Sequence, residues 1–210
     1  MKRTLVLVRH GQSEFNFKNL YTGRCDPELT PQGIAEARAA GRKLGESGYR
    51  FDIAFTSEFR RARHTLELIL AELGQRELTV ITDGALNERD YGALTGLSRQ
   101  EATDRFGKTR LRAWRKTLDA APPGGESIRE MASRVSAFYA RTILPLILQG
   151  NRILVTAHSN SLRALIMNIE RLDDDAAAAR GVETGVPVAY CLGADGSVDS
   201  WQILRPTVEI

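Results

Sequence analysis

Four short runs of this chain are apolar almost throughout, and they constrain the fold more than any other feature: Thr4 to Val8, Asp52 to Thr56, Leu78 to Thr82 and Arg152 to Thr156. A strand with one wet face alternates apolar and polar residues, whereas a run without alternation marks a strand covered on both faces, as in a parallel sheet. Val188 to Leu192 and Val198 to Ile203 are two further strands, joined by the turn signal Ala194-Asp195-Gly196-Ser197. Helical patterns fill the intervals. Thr30 is an N-cap and Pro31 a first helical residue, with apolar spacing through Leu44. Ser57 is expected to cap a helix to about Leu73, Glu126 to Leu148 reads as one helix, and Ser159 or Asn160 opens another through Ile169. Strands alternating with helices predict an α/β fold with a doubly wound, mostly parallel sheet flanked by helices on both faces. Asp119 to Gly125 is too short for an interdomain linker, so residues 1–210 are expected to form a single domain.

Composition narrows the function classes. Hydrophobic residues are 42% and charged residues 26%, which is a globular balance. The first apolar run is too short for a leader and no stretch has membrane-spanning length, so a cytoplasmic protein with no membrane partner is expected. Cys25 and Cys191 lie in unrelated contexts, which fits a reducing compartment. The net charge is +3 and the pI about 9.0, but no dense basic run interleaves with aromatics, so a nucleic-acid partner is not expected. Arg9, Arg60, Arg61, Arg99 and Arg115 instead lie near the candidate chemistry, which suits a small polyanion.

Ligands of open parallel sheets bind beyond the carboxyl ends of the strands. There the sequence places Arg9-His10-Gly11, then Ser57 with Arg60-Arg61, then Asn87-Glu88-Arg89, then His158-Ser159-Asn160. Two histidines, a carboxylate and arginines suit phosphoryl transfer. A neutral imidazole is a nucleophile, and guanidinium forks hold phosphate oxygens. Neighbouring cations keep the nucleophilic histidine unprotonated. A second histidine, protonated, is expected to hydrogen-bond the transferring group, and a carboxylate to shuttle the proton. Gly11 is expected to let the backbone approach phosphate, and Ser159 and Asn160 to offer a helix N-terminus to the anion. A metal site from His10, Glu88 and His158 is disfavoured because the arginines would repel a cation. His64 reads as a structural residue within its helix, and Trp114 as packing.

The segment Leu7-Val8-Arg9-His10-Gly11-Gln12-Ser13-Glu14-Phe15-Asn16 resembles the signature of the histidine phosphatase superfamily. Tyr21-Thr22-Gly23-Arg24-Cys25-Asp26, Arg61-Ala62-Arg63-His64-Thr65, Leu86 to Leu97, Trp114-Arg115-Lys116, Ala157 to Leu165 and Thr184-Gly185-Val186-Pro187 narrow the resemblance to 2,3-bisphosphoglycerate-dependent phosphoglycerate mutases. The resemblance implies that His10 is the phosphorylated nucleophile, Glu88 the general acid/base, and His158, Arg61 and Arg9 the transition-state stabilisers. It implies substrate contacts at Ser13, Asn16, Thr22, Gly23, Tyr91, Arg99, Arg115, Lys116 and Asn160, to which Ser159 is added as the neighbour of His158. It further implies interconversion of 3- and 2-phosphoglycerate in glycolysis and gluconeogenesis, priming by 2,3-bisphosphoglycerate, no metal, and a homo-oligomer (dimer or higher). The alternative on the same scaffold is a phosphatase that hydrolyses small phosphate monoesters. A further alternative is a non-catalytic phospholigand-binding module, against which the four intact reactive residues speak.

Overall fold

The computed structural model describes residues 3–173 and 180–207. Six strands form one sheet in the order β3-β2-β4-β1-β5-β6, where β1 is Arg3–Arg9, β2 Ile53–Thr56, β3 Val80–Thr82, β4 Ile153–Ala157, β5 Val188–Leu192 and β6 Val198–Ile203. β1, β2, β3 and β4 pair in parallel, while β5 and β6 run antiparallel at one edge. All six expected strands are present; the first four starts are displaced by one or two residues, and the last two strands coincide with their expected bounds. Their boundaries follow backbone pairing, which apolar runs report only indirectly.

The unbroken apolar character of β1 has a direct cause. Leu5 and Leu7 face one layer together with Phe55, Ile153 and Val155. Val6 and Val8 face the opposite layer with Ala54 and Leu154. The first layer is closed by α6 (Ile128–Phe138), α7 (Leu144–Leu148) and α8 (Ser159–Glu170), the second by α2 (Pro31–Glu46) and α3 (Arg60–Glu72). Each buried Leu or Val contributes about 1.5–3 kcal/mol by leaving water, so both faces of β1 hold the layers together.

Thr30 caps α2 as expected, its hydroxyl accepting from the Gly33 N–H at 3.1 Å, with Pro31 at the first helical position. The expected helix from Glu126 to Leu148 is corrected. It begins at Ile128, with Ser127 and Glu130 forming a capping box, and a π-turn at Tyr139–Ile143 interrupts it before α7. Pro145 lacks the N–H that an α-ladder needs there, and the Leu144 N–H reaches back to the Tyr139 carbonyl instead.

Beyond the sheet, α1 is one turn (Glu14–Phe17), and α4 (Arg99–Phe106) and α5 (Lys108–Lys116) form a small hairpin. That hairpin has its own apolar cluster of Leu94, Ala102 and Leu111, backed by Tyr21, Tyr91 and Trp114. Trp114 packs edge-on against Phe106 with ring centroids 5.4 Å apart, which agrees with its reading as a packing residue.

Candidate active site

β2, β4 and β1 lie side by side in parallel, with Arg9 opposite Ala157 and Thr156 opposite Thr56. The residues that follow, Ser57, His158 and His10, therefore emerge together. The His10 and His158 ring centroids are 5.0 Å apart, and the His10 N–H donates to the Ala157 carbonyl at 3.0 Å.

His10 is 3% exposed. Its Nδ1 lies 2.7 Å from the Gly11 carbonyl. A carbonyl only accepts, so Nδ1 carries the ring proton and Nε2 the lone pair. Burial first, then the charges of Arg61 and Arg9, push the His10 imidazole well below its usual value. His10 is thus a neutral imidazole with a free Nε2, the form a nucleophile needs.

His158 is fully buried, and its Nε2 lies 2.7 Å from Ser57 Oγ. Ser57 Oγ also accepts the Phe59 N–H at 3.3 Å. With the Ser57 proton directed to Nε2, the His158 ring proton sits at Nδ1, which has no partner among the described residues. Burial, followed by Arg61 and His10, holds His158 well below its usual value. The expected protonated second histidine is therefore corrected: His158 is neutral here and offers one N–H. Ser57 as the cap of α3 is also corrected. Phe59 occupies the cap position without a side-chain bond, and Asp26 Oδ2 accepts the Arg60 N–H at 3.0 Å instead.

Arg61 is fully buried at the start of α3. One arm of its fork is already engaged: Nη1 donates to the Cys25 carbonyl at 2.8 Å and lies 3.6 Å from Asp26 Oδ1. Its Nε and Nη2 are buried without partners among the described residues, as is Arg9 Nε, while Arg9 Nη1 donates to the Val182 carbonyl at 3.0 Å. Burial lowers Arg61 to about 10, with Glu88 and Asp26 pulling it back, so it remains a cation at neutral pH. A buried unpaired donor costs about 1–3 kcal/mol. Four such nitrogens, on Arg9, Arg61 and His158, make a cradle whose chemistry fits a phosphoryl group.

Glu88 completes the cluster. Three donors converge on its Oε1: the Arg89 N–H at 2.8 Å, Asn160 Nδ2 at 3.0 Å and the Asn160 N–H at 3.3 Å. None of these donors is shared with Oε2. Asn160 Nδ2 also donates to the Tyr91 hydroxyl at 2.9 Å. Asn160, expected to touch substrate, thus also positions the carboxylate. Ser159 opens α8 and is half-buried.

The other expected contacts fall into two groups. Ser13 and Asn16 form a reciprocal cap on α1, with the Ser13 N–H and hydroxyl donating to Asn16 Oδ1. Thr22 and Gly23 are buried in the 21–26 loop, where a Cβ on Gly23 would stand 2.5 Å from Thr95 Oγ1. Arg99, Arg115 and Lys116 line a cavity of about 270 Å³ between α4 and α5. Tyr21 walls that cavity and packs edge-on against Tyr91, with centroids 5.2 Å apart. Arg60 is exposed and paired with Asp26 and Glu28 rather than placed in the cradle.

Gly11 is required by packing. A Cβ there would stand 2.1 Å from the Gly33 carbonyl oxygen, and one on Gly33 would stand 2.1 Å from the Gln12 carbonyl. The two glycines let the loop after β1 lie against the first turn of α2. Arg134 joins the site without a sequence signal that marks it, while Asp26, which the sequence offers only within a family segment, and Ser57, placed at a strand end as a cap, take contacts with Arg61 and His158 that the sequence did not assign. Arg134 donates to the backbone carbonyls of Ala85, Asn87 and Glu88 and pairs with Glu126, holding the segment that presents Glu88. Among the described residues no group of three or more His, Cys, Asp or Glu side chains forms a metal-binding set, and no helix is long and apolar enough to cross a membrane.

The fold and the paired strand-end histidines define a class, and the chain belongs to the histidine phosphatase superfamily (branch 1), whose profile matches residues 5–195. Among curated relatives, it is 54% identical over 198 residues to the 2,3-bisphosphoglycerate-dependent phosphoglycerate mutase of Afipia carboxidovorans, covering 94% of this chain and 96% of that protein. It is 51% identical to the enzyme of the same name from Methylocella silvestris, covering 98% and 100%. Among solved structures, an alpha-ribazole-5'-P phosphatase of Escherichia coli, described as putative, superposes with a TM-score of 0.83 at 27% identity, covering 99% of this chain and 98% of that one. A mycobacterial glucosyl-3-phosphoglycerate phosphatase superposes with a TM-score of 0.79 at 26% identity, covering 99% and 100%.

Proposed function

We infer that this chain is a phosphoglycerate mutase that interconverts 3- and 2-phosphoglycerate through phospho-His10 and is primed by 2,3-bisphosphoglycerate. The observation that carries this reading is a neutral His10 with a free Nε2 beside four buried, unpartnered nitrogens of Arg9, Arg61 and His158. In this reading His10 Nε2 bonds to phosphorus as the donor's P–O bond breaks. Arg9, Arg61 and His158 Nδ1 hold the equatorial oxygens, where charge spreads in the transition state. Glu88 gives a proton through Oε2 to the departing oxygen. It takes one back from a phosphoglycerate hydroxyl when that oxygen attacks the phosphohistidine and the N–P bond breaks. Because donor and acceptor positions differ, the net result is isomerisation. Ser13, Asn16, Thr22, Gly23, Tyr91, Ser159 and Asn160 line the path of the three-carbon acid, and Arg99, Arg115 and Lys116 meet its remaining anionic groups. No step requires a metal.

The primer fits the donor set, since an unphosphorylated His10 has no phosphoryl group to pass on. A cytoplasmic homo-oligomer, dimer or higher, belongs to the same reading, and light scattering after gel filtration measures that state. The second reading is a phosphatase, favoured by the phosphatases among the solved structural neighbours at 26–27% identity. Relatives at 50–54% identity favour the mutase.

One assay separates the two. The protein is supplied with 3-phosphoglycerate and a trace of 2,3-bisphosphoglycerate. Fast formation of 2-phosphoglycerate, with acid-labile, base-stable phosphate on His10 that disappears in His10→Ala, is expected. Dominant release of inorganic phosphate would overturn the mutase reading, and no phosphate on His10 would overturn the mechanism.

A further inference from the structure

One segment of chain holds Arg9 on two sides. The Arg9 carbonyl accepts the Gly185 N–H at 3.0 Å, and Arg9 Nη1 donates to the Val182 carbonyl at 3.0 Å. Arg9 and Thr184 also form an isolated parallel bridge. Residues 180–185 thus run beside the end of β1 and aim the Arg9 fork, as the Cys25 carbonyl aims that of Arg61. The segment is not helical, and apart from that bridge it pairs with no strand among the described residues. Its course therefore depends on what tethers it.

The inner tether is Arg180. Its Nη2 meets both carboxylate oxygens of Glu170 at 2.6 Å, and its guanidinium lies 4.0 Å from the centre of the Trp201 ring. Glu170 Oε1 also accepts from the Tyr190 hydroxyl at 2.7 Å, and Tyr190 is buried in β5. The Arg180 carbonyl accepts from Arg163 Nε at 3.0 Å. α8 therefore grips Arg180 twice, by its main chain at Arg163 and by its side chain at Glu170. The outer ion pair of the segment, Glu183 with Arg205, is more than half exposed at both partners and holds it weakly. Val182 seats its side chain in the core, and Arg180, two residues earlier, sets the direction from which the chain reaches it.

Stability is a poor account of the Glu170–Arg180 pair. Glu170 ends α8, where the helix dipole disfavours an anion. The Glu170 side chain is 11% exposed and that of Arg180 26%, so desolvation offsets most of their attraction. What the pair does supply is a fixed place for the chain on which the Arg9 fork leans.

Resting on the reading of Arg9 as a holder of the transferring phosphoryl group, we propose that Arg180, clamped by Glu170 and Trp201, is a positioning residue that places the Val182 carbonyl and, through it, the Arg9 guanidinium. Arg180 touches neither substrate nor phosphate and acts through Arg9.

The test compares the natural chain with Arg180→Leu, Glu170→Gln and Arg180→Lys, each made also in an Arg9→Ala background. Glu170→Gln keeps an acceptor for Tyr190 while removing the ion pair, and Arg180→Lys keeps the charge. The readouts are kcat and KM for 3-phosphoglycerate, the single-turnover rate of His10 phosphorylation by 2,3-bisphosphoglycerate, and calorimetric affinity for orthovanadate. A thermal melt confirms folding. Arg180→Leu and Glu170→Gln are expected to lower kcat and the phosphorylation rate roughly 5–20-fold, with KM within about threefold. Arg180→Lys is expected to recover part of the rate. In the Arg9→Ala background the same substitutions are expected to change the phosphorylation rate and vanadate affinity by less than about twofold, because the group they act through is gone. Equal losses in both backgrounds show a general structural role and overturn the proposal. An unchanged kcat in the folded Arg180→Leu and Glu170→Gln proteins shows that burial of Val182 suffices, and overturns it too. A natural chain that releases phosphate instead of isomerising overturns the mutase reading alone. The comparison across the two backgrounds, then read on phosphate release, still decides the role of Arg180.

Discussion

Replacing Asp26 with Asn tests whether the 21–26 loop aims the buried Arg61 fork. In the structure the Cys25 carbonyl and Asp26 hold Nη1, leaving Nε and Nη2 for an anion. Asn keeps an oxygen to accept the Arg60 N–H and removes the charge 3.6 Å from Arg61. At that separation and an effective dielectric of about 20, the gross attraction is about 4–5 kcal/mol. Most of it is offset. Asp26 is 28% exposed, Glu88 also supports the charge, and the Cys25 hydrogen bond survives. A net loss of about 1–2 kcal/mol in transition-state stabilisation corresponds to a fall in kcat of roughly 5–30-fold. The KM for 3-phosphoglycerate is expected to move by less than about threefold, because phosphate positioning in the transition state is weakened rather than uniform binding. Steady-state isomerisation and single-turnover phosphorylation of His10 both read this, with vanadate inhibition weakening more than phosphate inhibition. Asp26→Glu, which restores the charge, is expected to recover part of the rate. A folded Asp26→Asn protein with kcat within twofold of the natural chain, or with the whole effect in KM, would refute the reasoning.

Two further outcomes follow from the geometry. His10 and His158 are held neutral, so between the usual histidine value and their lowered folded values the unfolded chain binds protons that the folded chain does not. Their contribution to stability is present above about pH 6.5 and declines as the pH falls, by up to about 3 kcal/mol per pH unit for the pair. Urea unfolding at several pH values measures the slope, which His158→Gln is expected to roughly halve; a flat profile from about pH 6.5 to 5 would contradict the burial account. Gly33→Ala places a Cβ 2.1 Å from the Gln12 carbonyl. A loss of about 3 kcal/mol or more is expected because backbone must move, and a thermal melt within a few degrees of the natural chain would show that the loop yields.

The layer order and the strand-end histidines are legible in the sequence because they rest on local properties. Continuous apolar runs report two covered faces, and Thr30-Pro31 reports a helix start without reference to the rest of the chain. Arg9, His10, Arg61, Glu88 and His158 are readable as candidates because each follows a strand or opens the next element. The α4–α5 hairpin is not legible in the same way, although Ser98 and Glu101 carry a capping-box signal. Its helices are short and mostly polar, with little apolar periodicity to detect. Ser57 misleads for a related reason: in sequence its hydroxyl is free to cap a helix, but in the fold it faces His158.

The sequence by itself determined the α/β class, the residues able to carry phosphate and the family resemblance, because residue type and short-range spacing suffice for these. Tertiary structure decided which His10 nitrogen is free, that His158 is neutral, which carboxylate oxygen of Glu88 is engaged, and that Asp26 steadies Arg61. Apart from the contact between the chain neighbours His10 and Gly11, those properties draw on partners far apart in the chain, as in the Cys25–Arg61 and Ser57–His158 contacts, 36 and 101 residues apart. Hydrogen bonding and burial act through space, so only the folded sheet, which brings those strand ends together, assigns them.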